Sequence, residues 1–418
     1  MEFLDVARIV AGLVLLVLGG ELLVRGASAL ARRMGISSLV VGLTVVSAAT
    51  SAPELAVTVG AVLRDEPGLA VGNVVGSNIV NVLLILGVSA LVIPLAVKQR
   101  LVRFDVPVMV ALCIALLLVS LDGRISAVDG LILFCAVIAH TVWTVVVGRS
   151  ETRVPARGAV PAEGSSVPDA TGRREEPPPP ASTGRSLLLV VLGIAMLVAG
   201  ATVLVEGAVN IATGLGVSSL VVGLTVVAVG TSLPELATSI IAVRRGERDL
   251  AVGNVVGSNI FNVGVVLGLP ALISLEGIPV AGAAVAFDMP VMIAAALALL
   301  PVAFTGFAVA RWEGALFVAL YLAYTGYVVL AATAHDALAG FTAVMAWFVL
   351  PLVAVTLIAF TSYEVGLRTG QRDPRGSRPR PETEVPTPLL GSTAGATRSR
   401  ARRRRAGAPG RRPTSRPR

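Results

Sequence analysis

Two glutamates stand where carboxylates are rarely found. Glu54 closes Thr50-Ser51-Ala52-Pro53-Glu54 and Glu235 closes Thr231-Ser232-Leu233-Pro234-Glu235, both inside otherwise apolar sequence. Holding an acid there costs free energy, so such a residue is read as functional by default. Proline lacks an N–H and obstructs the turn before it, so each helix should break just ahead of Pro53 and Pro234. The first break frees carbonyls around Ser47 to Thr50, and the Thr50 and Ser51 hydroxyls can line the same cavity. Thr231 and Ser232 repeat the arrangement. Two carboxylates with several neutral oxygens, and no nitrogen or sulfur ligand nearby, suit a hard cation such as Ca²⁺ or Na⁺ better than Zn or Cu. A proline kink with a snorkelling glutamate is the competing explanation. It suits one copy and accounts poorly for two.

The two motifs belong to a longer duplication. Residues 38–81 are answered by residues 219–262 at a constant offset of 181 without a gap, and SLVVGLTVV and LAVGNVVGSNI recur letter for letter. Each copy ends on a small-residue segment, Gly72 to Asn81 and Gly253 to Asn262. Small residues let neighbouring helices approach closely. Ser77 and Asn81 are four apart and share a helical face, as do Ser258 and Asn262. Where that face meets the Pro-Glu break, its hydroxyl and amide oxygens complete the site. Close packing explains the glycines, but not the serines and asparagines.

The elements that must position these residues are membrane spans. The chain has 418 residues, 55% hydrophobic and 14% charged, with mean hydropathy +0.84. That is too apolar and too weakly charged for a soluble globular domain. Runs of spanning length fall near 7–30, 36–63, 69–93, 102–120 and 126–147, then near 186–211, 217–243, 250–274, 281–305 and 311–333. The repeat persists outside the central stretch, since FDVPVM at 104–109 is answered by FDMPVM at 287–292. An unpaired run at 341–360 makes eleven; a re-entrant or interfacial segment is its alternative. The expected fold is an all-α polytopic membrane protein of two inverted five-helix repeats with broken helices, plus one extra C-terminal transmembrane helix. Five spans per repeat is an odd number, so homologous halves must insert in opposite senses, with the site near the midplane. The expected segments are 1–148 for the first repeat and 149–185 for a disordered cytoplasmic linker with four consecutive prolines. They continue with 186–335 for the second repeat, 336–365 for the extra helix, and 366–418 for a disordered Arg-rich cytoplasmic tail.

Charge sets orientation. With the N-terminus outside, the inner loops hold Arg32, Arg33, Lys98, Arg100, Arg103, Arg244, Arg245, Arg248 and Arg311, and the outer loops only Arg64 and Arg124 with Arg8 at the start. The positive-inside rule favours that sense, with a cytoplasmic C-terminus in the cell membrane. The net charge of +8 comes from the tail, where fifteen arginines from Arg368 onward face three acids. Arg402–Arg405 suits anionic lipid; nucleic-acid binding lacks a supporting fold. The first run is kept as a mature helix rather than a signal peptide, because it is long, carries Glu2 and Asp5 at its start, and recurs internally. Cys113 and Cys135 offer no disulfide framework and read as buried, inert thiols. His140 and His335 have no metal-ligand neighbours and read as packed or interfacial. Asp105 and Asp288 match in place and read as packing against the site or a helix end.

The paired G-T-S-x-P-E and G-N-x-x-G-S-N-I-x-N patterns resemble the α-repeats of the cation/Ca²⁺ exchanger superfamily, in particular its prokaryotic sodium/calcium exchanger-like members. The resemblance covers most of 7–333 and leaves out the linker, the eleventh span and the tail. It implies that Glu54 and Glu235 are shared acidic ligands of Ca²⁺ and Na⁺, and that Thr50 and Thr231 add backbone and hydroxyl oxygens. It further implies that Ser51, Ser77, Ser232 and Ser258 complete flanking Na⁺ positions with backbone oxygens of Ser47 and Ala228, while Asn81 and Asn262 border the centre. No cofactor is implied beyond the transported ions. The first and sixth helices, with Gly19, Gly20, Gly26, Gly200 and Gly207, resemble the pair that slides to switch access. Two departures stand out: Ala49 where the second copy has Gly230, and Asn262 where relatives often carry Asp.

Charge balance then suggests a mechanism. Two carboxylates neutralise one Ca²⁺ or two Na⁺, and an empty site would retain buried charge and resist switching, which favours exchange over leak. A third Na⁺ would make the cycle electrogenic, and Asn262 leaves that stoichiometry open. Protons compete for carboxylates in apolar surroundings, so Ca²⁺/H⁺ exchange is the rival reading; the G-N-x-x-E motif typical of that branch is replaced here by GNVV followed by Gly-Ser. A cation channel is the alternative from another class. An intramembrane enzyme finds no HExxH, GxSxG or paired-Asp motif.

Overall fold

The computed structural model describes residues 2–153, 183–216, 226, 228–274, 276–304, 307–356, 358–359 and 362. Long apolar runs bounded by Gly, Pro and charged residues form long helices: α1 Glu2–Met34, α2 Ser38–Thr50, α3 Ala52–Leu63, α4 Pro67–Val92, α5 Leu101–Val119 and α6 Ala127–Arg153. The second half continues with α7 Thr183–Gly214, a short α8 Ala228–Gly230, α9 Leu233–Arg244, α10 Arg248–Ile273, α11 Ala284–Val302, α12 Arg311–Ala332 and α13 Ala337–Thr356. Among the described residues nine helices are long and apolar enough to cross a membrane, and α2 with α3 forms one more span bent by 43°. The span expected near 217–243 begins in residues outside the described set, as do nearly all of the linker and the whole Arg-rich tail. The first five residues assigned to the linker, 149–153, are the helical end of α6, and α7 begins at Thr183.

α4 and α10 form the buried centre, whereas α1, α6 and α7 turn Val17, Val142 and Leu187 outward. An apolar layer of this kind is what a bilayer solvates and water does not. Trp347 of α13 is 85% exposed and no residue of Ala337–Val349 is buried, so the extra span packs at the periphery. Cys113 is buried as expected, but Cys135 is exposed, because α6 presents that apolar face outward.

Two short ladders join the halves. β1 (Leu95–Ala96), after α4, pairs antiparallel with β4 (Ala308–Val309), before α12. β2 (Arg124–Ile125), before α6, pairs antiparallel with β3 (Ile278–Pro279), after α10. The loop after the third span of one half thus meets the loop before the fifth span of the other, twice over.

α1 and α7 run antiparallel at very close approach. Gly12 and Gly19 face Gly200 and Gly193, and at the same seven-residue spacing Gly26 meets Ser186 and Val190 while Gly207 meets Asp5 and Arg8. A Cβ added at any of the six would lie 2.6–2.9 Å from an atom of the opposite helix, mostly backbone. At the Arg245 end, Arg245 pairs with Glu21, with Nε donating to Oε2 at 2.7 Å, and Arg25 joins the same carboxylate at 2.7 Å.

Candidate cation site

The helix breaks fall where proline dictates. Pro53 gives no N–H to the Ala49 carbonyl and Pro234 none to that of Gly230. The hinge residues take nearly the same backbone geometry, φ −82° and ψ 7° at Ser51 and φ −90° and ψ 8° at Ser232. Each break puts its glutamate in the first turn of the following helix, where the amide dipoles favour a negative group. The Ser47 carbonyl is less free than the sequence suggested. It accepts the Ser51 N–H at 2.9 Å, and Thr50 Oγ1, whose one proton goes to the nearer Asn254 Oδ1, lies 3.4 Å away. In the second copy the Ser232 N–H goes to the Val229 carbonyl instead, at 3.1 Å. Ala228 opens the short α8.

The two copies interlock crosswise. Ser51 Oγ donates to Glu235 Oε1 at 3.3 Å, and Ser232 Oγ donates to Glu54 Oε1 at 3.4 Å. Glu54 is 1% exposed and Glu235 is fully buried. Thr50 Oγ1 donates to Asn254 Oδ1 at 3.2 Å. Deeper in, four asparagines on α4 and α10 repeat the cross: Asn81 Nδ2 donates to Asn259 Oδ1 at 3.0 Å, and Asn262 Nδ2 donates to Asn78 Oδ1 at 3.1 Å. Asn78 and Asn259 also turn their amide nitrogens toward Met292 Sδ at 3.6 Å and Met109 Sδ at 3.4 Å. π-helical turns begin just there, over Val80–Leu86 and Asn262–Leu267, a distortion common at functional sites.

Seven buried oxygens of the candidate cation ligands have no hydrogen-bond partner: Glu54 Oε2, Glu235 Oε2, Thr231 Oγ1, Ser77 Oγ, Ser258 Oγ, Asn81 Oδ1 and Asn262 Oδ1. Native interiors leave few such groups. These seven are all hard oxygens, on the elements that meet at the two breaks. Among the described residues no group of three His, Cys, Asp or Glu could hold a metal, so the chemistry is that of two acids supported by neutral oxygens. Ser47 Oγ is spent on the Thr44 carbonyl at 3.2 Å.

Further residues escaped the sequence reading. Asn73 Nδ2 donates to the Glu54 carbonyl at 3.1 Å and to Thr58 Oγ1 at 3.0 Å, and Asn254 Nδ2 donates to Ser239 Oγ at 3.3 Å. The available signal was an amide repeated at the same offset within apolar sequence. Asp105, fully buried, lies 3.0 Å from His140 Nε2, while Asp288 accepts from Tyr324 at 3.0 Å. Each therefore ties the fourth span of its half to the fifth, and their neighbours Phe104 and Phe287 pack on Trp143 and Tyr327 at 5.5 and 4.1 Å.

Buried hard oxygens enclosed by apolar spans define a membrane transporter of cations. Comparison with known proteins gives the family. The model of the sodium/calcium exchanger protein family matches residues 4–146 and 185–330, and the chain belongs to that family. It is 38% identical over 274 residues to the inner membrane protein YrbG of Escherichia coli (strain K12), covering 65% of this chain and 80% of that one. The sodium/calcium exchanger MaX1 of Methanosarcina acetivorans is 33% identical over 336 residues, covering 75% and 95%. A solved structure of the sodium-calcium exchanger NCX_Mj, soaked with Na⁺ and Sr²⁺, aligns with TM-score 0.63 and 33% identity over 77% of this chain and 97% of the other. Members of the family are transporters rather than enzymes.

Proposed function

We propose that the chain is a secondary antiporter that exchanges Ca²⁺ for Na⁺ by alternating access around a midplane site. The observation that carries this reading is the crosswise pairing of Ser51 with Glu235 and Ser232 with Glu54, which unites both acids with a cluster of unpartnered buried oxygens. Glu54 and Glu235 supply the charge; Thr50, Thr231, Ser51, Ser232, Ser77, Ser258, Asn81 and Asn262, with the Ser47 and Ala228 carbonyls, supply neutral oxygens. Two negative charges balance one Ca²⁺ or two Na⁺, so either load can cross the apolar barrier while an empty site cannot. Residues 1–148 and 186–335 act as two halves inserted in opposite senses. The reciprocal ladders support this, because halves of the same sense would put β1 and β4 on opposite membrane faces. The N-terminus lies outside and the C-terminal tail in the cytoplasm, where its arginines can meet anionic lipid. Na⁺ is favoured over H⁺ as counter-ion because the central asparagines are not titratable and neutral amide oxygens suit Na⁺.

Reconstitution into liposomes tests the reading. Radiolabelled Ca²⁺ should enter only against an outward Na⁺ gradient and should fall to background in Glu54→Gln or Glu235→Gln. Equal uptake driven by a pH gradient without Na⁺ would establish proton coupling instead. Uptake without any gradient would make the protein a channel.

A further inference from the structure

Asn73 and Asn254 occupy the same place in the two copies, 181 residues apart, and neither belongs to the ligand set above. Both aim the amide nitrogen at a hydroxyl of their own half, Thr58 and Ser239, which are themselves equivalent positions. Asn73 also donates to the Glu54 carbonyl, which can only accept, so its nitrogen end is fixed. The difference lies at the oxygen end. Asn254 Oδ1 accepts from Thr50 Oγ1 of the opposite half at 3.2 Å. The mirror-related bond, from Thr231 to Asn73, is not made, and Thr231 Oγ1 is buried without a partner. Asn254 is fully buried, whereas Asn73 is only half-buried.

We propose that Asn254 and Asn73 are positioning residues that hold Thr50 and Thr231 in turn, one in each access state. This rests on the exchange reading above and goes beyond it. A hydroxyl has one proton and two lone pairs. When its proton is given to an amide oxygen, the lone pairs point away from that amide and are available to a cation. A buried hydroxyl with no acceptor has nowhere to put its proton except toward whatever enters the site, which opposes a positive charge. Thr50 is in the first condition and Thr231 in the second. Two halves inserted in opposite senses exchange environments when access switches, so the made bond and the unmade bond change places. One threonine hydroxyl is thereby set for cation binding at a time.

The test is the sidedness of the Michaelis constant. Full-length protein is reconstituted in proteoliposomes of known orientation, and Ca²⁺ is titrated at each membrane face for the wild type, Asn254→Leu and Asn73→Leu. Loss of one buried hydrogen bond should raise KM about fivefold at one face, leaving kcat and the other face near wild type; Asn73→Leu should do so at the opposite face. Ser239→Ala and Thr58→Ala remove only the hydroxyls that orient the two amides, and should reproduce the same sidedness if the leucine variants fail to fold. An amide needed only for packing would alter both faces alike. That result, or both variants acting on the same face, overturns the alternation while wild-type exchange stands. Absence of any counter-ion-driven flux in the wild type overturns the exchange reading itself, and this proposal with it.

Discussion

Gly193→Ala puts the α1–α7 seam to a quantitative test. A Cβ at Gly193 would lie 2.6 Å from the Leu23 nitrogen, 2.8 Å from the Gly19 oxygen and 2.9 Å from the Leu23 Cα. Favourable contact needs about 3.5–4.0 Å, so the helices must part by roughly 1 Å. All three atoms are backbone, and no flexible side chain can yield in their place. Overpacking of this kind costs about 1–3 kcal/mol. Alanine recovers about 0.5–1 kcal/mol of that through helix propensity. Gly326→Ala, inside α12, isolates the packing term, since nothing lies within 4 Å of a Cβ there. In detergent-solubilised protein, Gly193→Ala should melt several degrees below Gly326→Ala. Equal or higher melting for Gly193→Ala would refute the close approach.

Three further predictions concern charged and polar groups. A site of two carboxylates moves no net charge when one Ca²⁺ exchanges for two Na⁺. Clamping a 100 mV potential across proteoliposomes should then leave the rate unchanged, whereas each net charge carried would bias transport by about 2.3 kcal/mol. His140→Leu leaves the buried Asp105 without its hydrogen-bond partner and should destabilise the protein by about 1–3 kcal/mol. Glu21→Gln, which breaks partly exposed ion pairs, should cost less than about 1 kcal/mol. Comparing the two melting temperatures checks both values.

Much of this was legible in the sequence because a bilayer constrains strongly. Spanning runs predict helix ends to within a few residues, as α4 at Pro67–Val92 and α10 at Arg248–Ile273 show against expectations near 69–93 and 250–274. Proline chemistry alone located the hinge at Ser51. The glutamates, serines and central asparagines were singled out by one argument, that polar groups in oil need a reason. What stayed hidden was partnership. Gly19 and Gly200 were visible as small residues, but nothing local says that Gly19 meets Gly193 or that Gly200 meets Gly12. Asp105 and His140 were each noticed and never joined, since 35 residues and a loop separate them. Asn73 and Asn254 were quoted inside a motif, yet their roles depend on Thr58, Ser239 and Thr50, which only the tertiary arrangement brings near.

The reciprocal ladders bear on how such a chain can be divided. Each half contributes two short edges and uses two belonging to the other. A polypeptide ending after α6 would carry β1 and β2 with their backbone groups unpaired, and unpaired strand edges seek partners. A second identical half-length chain inserted upside down would offer the same pairings in the same register sense. A homodimer of half-length subunits could therefore have assembled this architecture before the two were joined, and the linker need do no more than keep the stoichiometry at one to one.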